Sequence, residues 1–268
     1  MDQNPGYIPL GNEQLHYLRS GTGKRLLLAF HGYGNDAGIF KPIEEYLASE
    51  FTILSFDLPH HGGSVWSNAP LTRKDLAQLV DKVKKEYNVE KVSLLGYSIG
   101  GRVCLTIIEM LPEDVDHATL LATDGLVQNH YYSFFTNTNL GKKMFADMLE
   151  KPARYFKVMD WFKKLHLVHP SRYKFAMHSL GTPEARSLLL KVWPAMSRLI
   201  PSPSRLRGVI AKHRIPITLF MGANDKIMPP ALGAKFKAGL HTVQLYILNR
   251  GHIIFDHENA EEIAKSLL

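Results

Sequence analysis

Within the 268-residue chain, the string Gly96-Tyr97-Ser98-Ile99-Gly100 follows the apolar run Val92 to Leu95 and opens an amphipathic segment. A serine at a sharp strand-to-helix turn exposes its hydroxyl, and glycines flank it because side chains there would collide with the adjoining helix and strand. Chance yields G-x-S-x-G in roughly one chain in ten of this length, so the strand–turn–helix setting carries the reading. A serine hydroxyl is a weak acid. To attack a carbonyl carbon it needs a base for its proton and a third group to orient that base. Among thirteen histidines, His252 stands out because Asn249-Arg250-Gly251-His252 directly follows the last strand-like run. Asp225 lies similarly in Gly222-Ala223-Asn224-Asp225, just past another such run. Parallel strands set their C-terminal loops along one sheet edge, where ligands bind, so three loops are expected to bring Ser98, Asp225 and His252 together. Asp124, ending the strand before a long irregular segment, is the competing acid.

The positioning elements are legible from apolar periodicity. Residues 13–19 and 25–30 read as strands around Gly21-Thr22-Gly23, followed by strands at 51–58, 91–96, 117–123, 217–221 and 243–248. Several are apolar nearly throughout, as in strands buried on both faces of a parallel sheet. Between them lie helical patterns at 71–87, from the Ser98 turn to about 111, near 230–239 and from about 258. The alternation implies an α/β fold, with a mostly parallel central sheet and helices on both faces. It breaks between the strand ending near 123 and the one starting at 217. The expected division is therefore a core of residues 1–124 and 208–268 with an inserted helical cap, or lid, at 125–207 after the sixth strand.

Composition excludes several classes. A single cysteine, Cys104, forms no internal disulfide and no four-cysteine zinc site, and reads as a packed core thiol. His60 and His61 are adjacent, a poor spacing for ligating one ion, and no H-x-x-x-H accompanies them, so no metal is expected. The loop from His31 to Gly34 matches neither phosphate-binding glycine pattern, so no nucleotide cofactor is expected, and His31 itself reads as a buried structural histidine. Met1 to Gly6 lacks the basic and apolar regions of a signal peptide, and no run approaches the ~20 apolar residues of a membrane span. These features lead to the expectation of a cytoplasmic protein.

Four strings, in order, carry a resemblance that runs from about residue 13 to the C-terminus: Phe30-His31-Gly32-Tyr33-Gly34, Asp57-Leu58-Pro59-His60-His61-Gly62-Gly63-Ser64, the Ser98 turn, and the Asp225 and His252 loops. Together they resemble the serine α/β-hydrolases, with His60 standing where that family's D-x-P-G-H-G-x-S loop has glycine. The resemblance implies the α/β-hydrolase fold and a cofactor-independent esterase. Ser98 would be the nucleophile, His252 the general base and then acid, and Asp225 the group that fixes the imidazole. The backbone N–H groups of Tyr33 and Ile99 would form the oxyanion hole, and Tyr33 would also line the pocket. A serine nucleophile speaks against dehalogenase or epoxide hydrolase chemistry, which in this fold resembles an aspartate mechanism. Thioester, lactone or carbon–carbon bond hydrolysis stays open, as does a slow-turnover ligand receptor.

The 125–207 segment holds twelve of the chain's twenty-seven aromatic residues, and from Leu126 to Arg207 fourteen Lys/Arg stand against four acidic residues. Tyr155, Val158, Met159, Phe162 and Leu165 recur at helical spacing and read as the cap's own core. The basic excess suggests an acidic partner such as coenzyme A, an acyl carrier protein or an anionic lipid surface. No nucleic-acid recognition motif is present.

Overall fold

The structure is a computed structural model that describes residues 3–165, 173, 177 and 180–268. The strands are β1 (Asn4–Leu10), β2 (Glu13–Ser20), β3 (Arg25–Phe30), β4 (Phe51–Phe56), β5 (Val92–Tyr97), β6 (Val115–Leu121), β7 (Ile217–Gly222) and β8 (Val243–Leu248). They form one eight-stranded sheet in the order β1-β2-β4-β3-β5-β6-β7-β8. β1 and β2 run antiparallel and the pairs from β4 to β8 are parallel. Among the described helices are α1 (Lys41–Leu47), α2 (Arg73–Tyr87), α3 (Ile99–Met110), α4 (His130–Asn137), α5 (Asn139–Glu150), α6 (Pro152–Lys164), α7 (Pro183–Ala195), α8 (Pro203–His213), α9 (Pro230–Lys237) and α10 (Ala260–Lys265).

Crossover handedness explains which helices share a face. The chain steps from β3 to β4 in one direction and from β4 over β3 to β5 in the other, and right-handed crossovers then put α1 and α2 on opposite faces. α3 follows a step in the same direction as α2 and packs against it, whereas α10 packs against α1. The sheet centre is closed to solvent: every residue of β4 and β5 is buried, the polar Thr52, Ser55 and Ser93 included. On the α1 side Leu27, Phe40, Ile43, Leu47, Ile53, Leu95 and Ile263 form one cluster. α2 starts on a reciprocal Thr72–Asp75 cap and buries Leu76, Leu79, Val80 and Val83.

β1 is additional to the strands expected from periodicity, and it carries Pro5, Gly6 and Pro9. Proline is tolerated on an edge strand whose N–H would face away from the sheet, and β1 is an edge. The compact units also divide differently from 125–207. One comprises residues 1–67, 71–128 and 198–268, the other 68–70 and 129–197. The return boundary shifts because α8 belongs to the first unit, where Leu206 and Ile210 are wholly buried and the helix packs on α3. Within the same unit the segment entering α8 is tied by Glu109 of α3, which accepts from the Ser202 N–H at 3.0 Å and pairs with Arg73.

The second unit has its own aromatic centre. Phe145 and Trp193 stack with ring centroids 5.1 Å apart, Tyr132 meets Trp193 edge-on at 5.3 Å, and the Tyr132 hydroxyl donates to the Trp193 carbonyl at 2.8 Å. Of the helical stripe expected to make this core, Leu165 is exposed. The side chains of Val158, Met159 and Phe162, like Phe175, lie outside the described residues.

Candidate active site

Sheet register sets the site out. Phe30 pairs with Gly96 and Tyr97 with Leu121, Leu121 pairs with Phe220, and Gly222 with Leu248. The loops after β3, β5, β7 and β8 therefore leave the same sheet edge, carrying Tyr33, Ser98, Asp225 and His252. β8 lies three places from β5, so the His252 loop must double back. It does so over Gly222, where a Cβ would fall 2.2 Å from the Gly251 carbonyl oxygen. The Asn224 N–H donates to Arg250 O at 2.9 Å, and the Arg250 guanidinium is held by Asp256 and Glu258.

Ser98 sits between β5 and α3 with φ 51° and ψ −116°, a backbone state that L-residues hold only when their surroundings enforce it. Enforcement comes from its own peptide groups. The Ser98 N–H donates to Leu121 O at 2.9 Å, and its carbonyl accepts from Gly101 N and Asp124 N at 3.0 and 2.9 Å. α3 is pressed so closely on the sheet that a Cβ at Gly100 would lie 1.9 Å from the Phe30 carbonyl oxygen.

The three side chains are joined in series. Ser98 Oγ lies 3.0 Å from His252 Nε2, and His252 Nδ1 lies 2.8 Å from Asp225 Oδ2. The Asp225 side chain is fully buried, and its Oδ1 accepts from the N–H groups of Ile227 and Met228 at 2.8 and 2.9 Å. An acceptor on that side places the proton on Nδ1 and leaves Nε2 to accept from the Ser98 hydroxyl. Asp124 takes another partner: the Arg102 guanidinium engages its Oδ2, with Nε at 3.0 Å, and its Oδ1 accepts from Gly125 N at 2.6 Å. Sequence left two acids open, and the hydrogen bonds join His252 to Asp225. Ile99 is the first residue of α3, and Tyr33 lies in the loop after β3, half-buried, with its ring edge-on to His61 at 6.1 Å.

That loop rests on a polar underlayer. His31 accepts from the Leu58 N–H at 2.9 Å through Nε2, so its Nδ1–H donates to the Gly32 carbonyl at 2.7 Å. His61 likewise accepts from Gly34 N at 3.1 Å and donates to the Pro59 carbonyl at 3.0 Å. Burial, with His61 close by, pushes His31 down to about 3, and burial lowers His61 as well. Asp57 is 2% exposed. Burial would raise its carboxyl, but the N–H groups of Gly63 and Ala37 together with His16 outweigh that and hold it low. His60, in the glycine position of the loop, adopts φ 65°, the left-handed conformation a glycine would supply. Among the described residues no group of three or more His, Cys, Asp or Glu gathers as a metal site would require. No described helix is long and apolar enough to cross a membrane.

A family model described as the alpha/beta hydrolase family matches residues 26–266. The chain is 25% identical to an uncharacterized hydrolase of Bacillus subtilis, YugF, over 89% of its length and 86% of the relative. It is 24% identical to a pimeloyl-[acyl-carrier protein] methyl ester esterase of Neisseria meningitidis, covering 82% of each. Among solved structures, a thermophilic esterase from Thermogutta terrifontis superposes with a TM-score of 0.68 at 17% identity, over 98% of this chain and 96% of that one.

Two consequences are measurable. Gly100→Ala should destabilise at the upper end of the ~1–3 kcal/mol typical of overpacking, because the opposing atom is backbone, and urea unfolding reads the loss directly. The buried histidines set an acid limit. His31 takes a proton near pH 6.5 when unfolded but only near 3 when folded, so its contribution is fully present above about pH 6.5 and is lost as pH falls toward 3. Unfolding free energy measured at pH 7 and pH 5 should drop by about 2 kcal/mol from His31 alone.

Proposed function

Because the chain belongs to the alpha/beta hydrolase family, whose model spans residues 26–266, we propose that it is a serine hydrolase cleaving a carboxylic ester through an acyl-enzyme intermediate. The observation that carries this reading is the hydrogen-bonded series Ser98–His252–Asp225 at the sheet edge. Ser98 Oγ attacks the ester carbonyl as its proton passes to His252 Nε2, and Asp225 stabilises the imidazolium through Nδ1–H. The tetrahedral oxyanion is stabilised by the backbone N–H groups of Tyr33 and Ile99, one such donor being worth ~3 kcal/mol. The imidazolium then gives its proton to the departing alcohol, and water repeats the sequence on the acyl-enzyme. Residues 129–197, inserted between β6 and β7, are proposed to act as the cap.

Hydrolysis of p-nitrophenyl esters from acetate to palmitate tests the assignment. Ser98→Ala should abolish turnover at every chain length, and Asp225→Asn should lower kcat by about 10⁴, as expected when the imidazole tautomer is no longer fixed. Folded Asp124→Asn should stay within about tenfold of the parent, since its carboxylate serves Arg102. Turnover that survives Ser98→Ala would overturn the reading. Saturable ester binding without a burst or steady turnover would point to a receptor.

A second reading concerns how the acyl group is presented, and two observations favour an acidic carrier. In the second unit Lys142, Lys143, Arg154, Lys157 and Lys164 are all exposed on α5 and α6, and one relative is named as an esterase of an acyl-carrier-protein ester. For a carrier-borne ester, KM should rise at least about tenfold between low and high salt and on Lys142→Glu/Lys143→Glu, while KM for the free ester stays level. Salt-insensitive KM values on both substrates would remove the carrier.

A further inference from the structure

Tyr97 fills the variable position before Ser98, and its surroundings are more specific than a packed core needs. The residue is 5% exposed, yet its hydroxyl donates to the backbone carbonyl of His252 at 3.2 Å. Its ring lies 5.7 Å from the His252 ring and meets Phe255 edge-on at 5.3 Å, and Phe255 in turn stacks on Phe40 at 5.9 Å. On another side the ring presses on the loop after β3: a Cβ at Gly32 would fall 2.8 Å from its Cδ1 and Cε1. One side chain thus touches both the loop that carries His252 and the loop that carries Tyr33, and it is bonded covalently to Ser98.

We propose that Tyr97 is a positioning residue, whose O–H fixes the His252 peptide and whose ring sets the spacing between the His252 loop and the Gly32–Tyr33 loop. This rests on the serine-hydrolase reading. A phenylalanine would fill the same volume, so only the hydroxyl distinguishes positioning from packing. Burial chiefly, with the Asp225 charge, pushes the phenol up to about 12, so the donor is present throughout the neutral range. When the O–H is lost, the peptide of His252 turns more freely and Nε2 dwells less often within reach of Ser98 Oγ. Ground-state binding is untouched, so the effect belongs in kcat and not in KM.

The test is Tyr97→Phe, measured by ester kinetics, by thermal unfolding and by the downfield proton resonance of His252 Nδ1–H. The expected result is a kcat lower by about three- to tenfold, KM within twofold, unchanged Tm, and a broadened or shifted Nδ1–H signal. Tyr97→Leu, which also empties the space beside Gly32, should lower kcat by about 10². A Tyr97→Phe enzyme with kcat within twofold and an unaltered resonance overturns the proposal. So does a loss of kcat that merely tracks a fall in Tm while the resonance stays put. Ser98→Ala, run alongside, separates the two levels: if Ser98 is dispensable the hydrolase reading fails, whereas if it is essential and Tyr97→Phe is silent only the positioning role fails. The resonance gives an answer even on an ester the enzyme does not turn over.

Discussion

A methyl group at residue 100 would sit 1.9 Å from the Phe30 carbonyl oxygen, and one at residue 96 would sit 2.7 Å from Cys104 Sγ and the Gly101 backbone. Helix α3 can therefore lie against β3 and β5 only because neither Gly100 of its first turn nor Gly96 of the strand carries a side chain. That contact has no room to relax, and it forces the chain through the left-handed conformation at Ser98. Three hydrogen bonds to the Ser98 peptide groups then offset a backbone cost of ~1–3 kcal/mol. The serine hydroxyl points where it does because a helix and a sheet meet at backbone distance.

The loops around that turn are stiffened by polar groups that stay out of titration near neutrality. His31 and His61 are neutral, each with one ring nitrogen accepting a backbone N–H and the other donating to a carbonyl. Asp57 accepts from two backbone N–H groups and from His16. Buried polar groups with full complements of partners rigidify a loop, whereas a half-satisfied group would loosen it. His252 differs from them in its partners: its Nε2 faces the Ser98 hydroxyl, while its Nδ1 is tied to a wholly buried carboxylate.

The second unit is built on other terms. Its aromatic centre of Tyr132, Phe145 and Trp193 is small, it leaves Tyr131 and Trp161 largely exposed, and α5 and α6 carry a run of exposed cations. On the carrier reading proposed above, these exposed aromatic and basic groups would be the ones to meet something acidic and partly apolar.

How much of this was legible beforehand depended on range. Residue types and local periodicity announced strands β2 to β8, the turn at Ser98, and Asp225 and His252 as residues just past strands. All of these are properties of a dozen neighbouring residues. The β1 strand was hidden by Pro5, Gly6 and Pro9, because only an edge position excuses proline in a sheet. The end of the second unit carries no local signal, because α8 shows its apolar face to α3, a partner nearly a hundred residues earlier. Whether Asp225 or Asp124 faces His252 was decided by Arg102, which occupies Asp124. The need for glycine at 222 has no local signal, because it arises from the returning chain at Gly251 that crosses it. The sequence by itself determined which groups could react and at which edge of which fold. Tertiary structure decided which of them meet, because hydrogen-bond partners and steric clearances between residues far apart in the chain depend on sheet register and close packing, which no local pattern encodes.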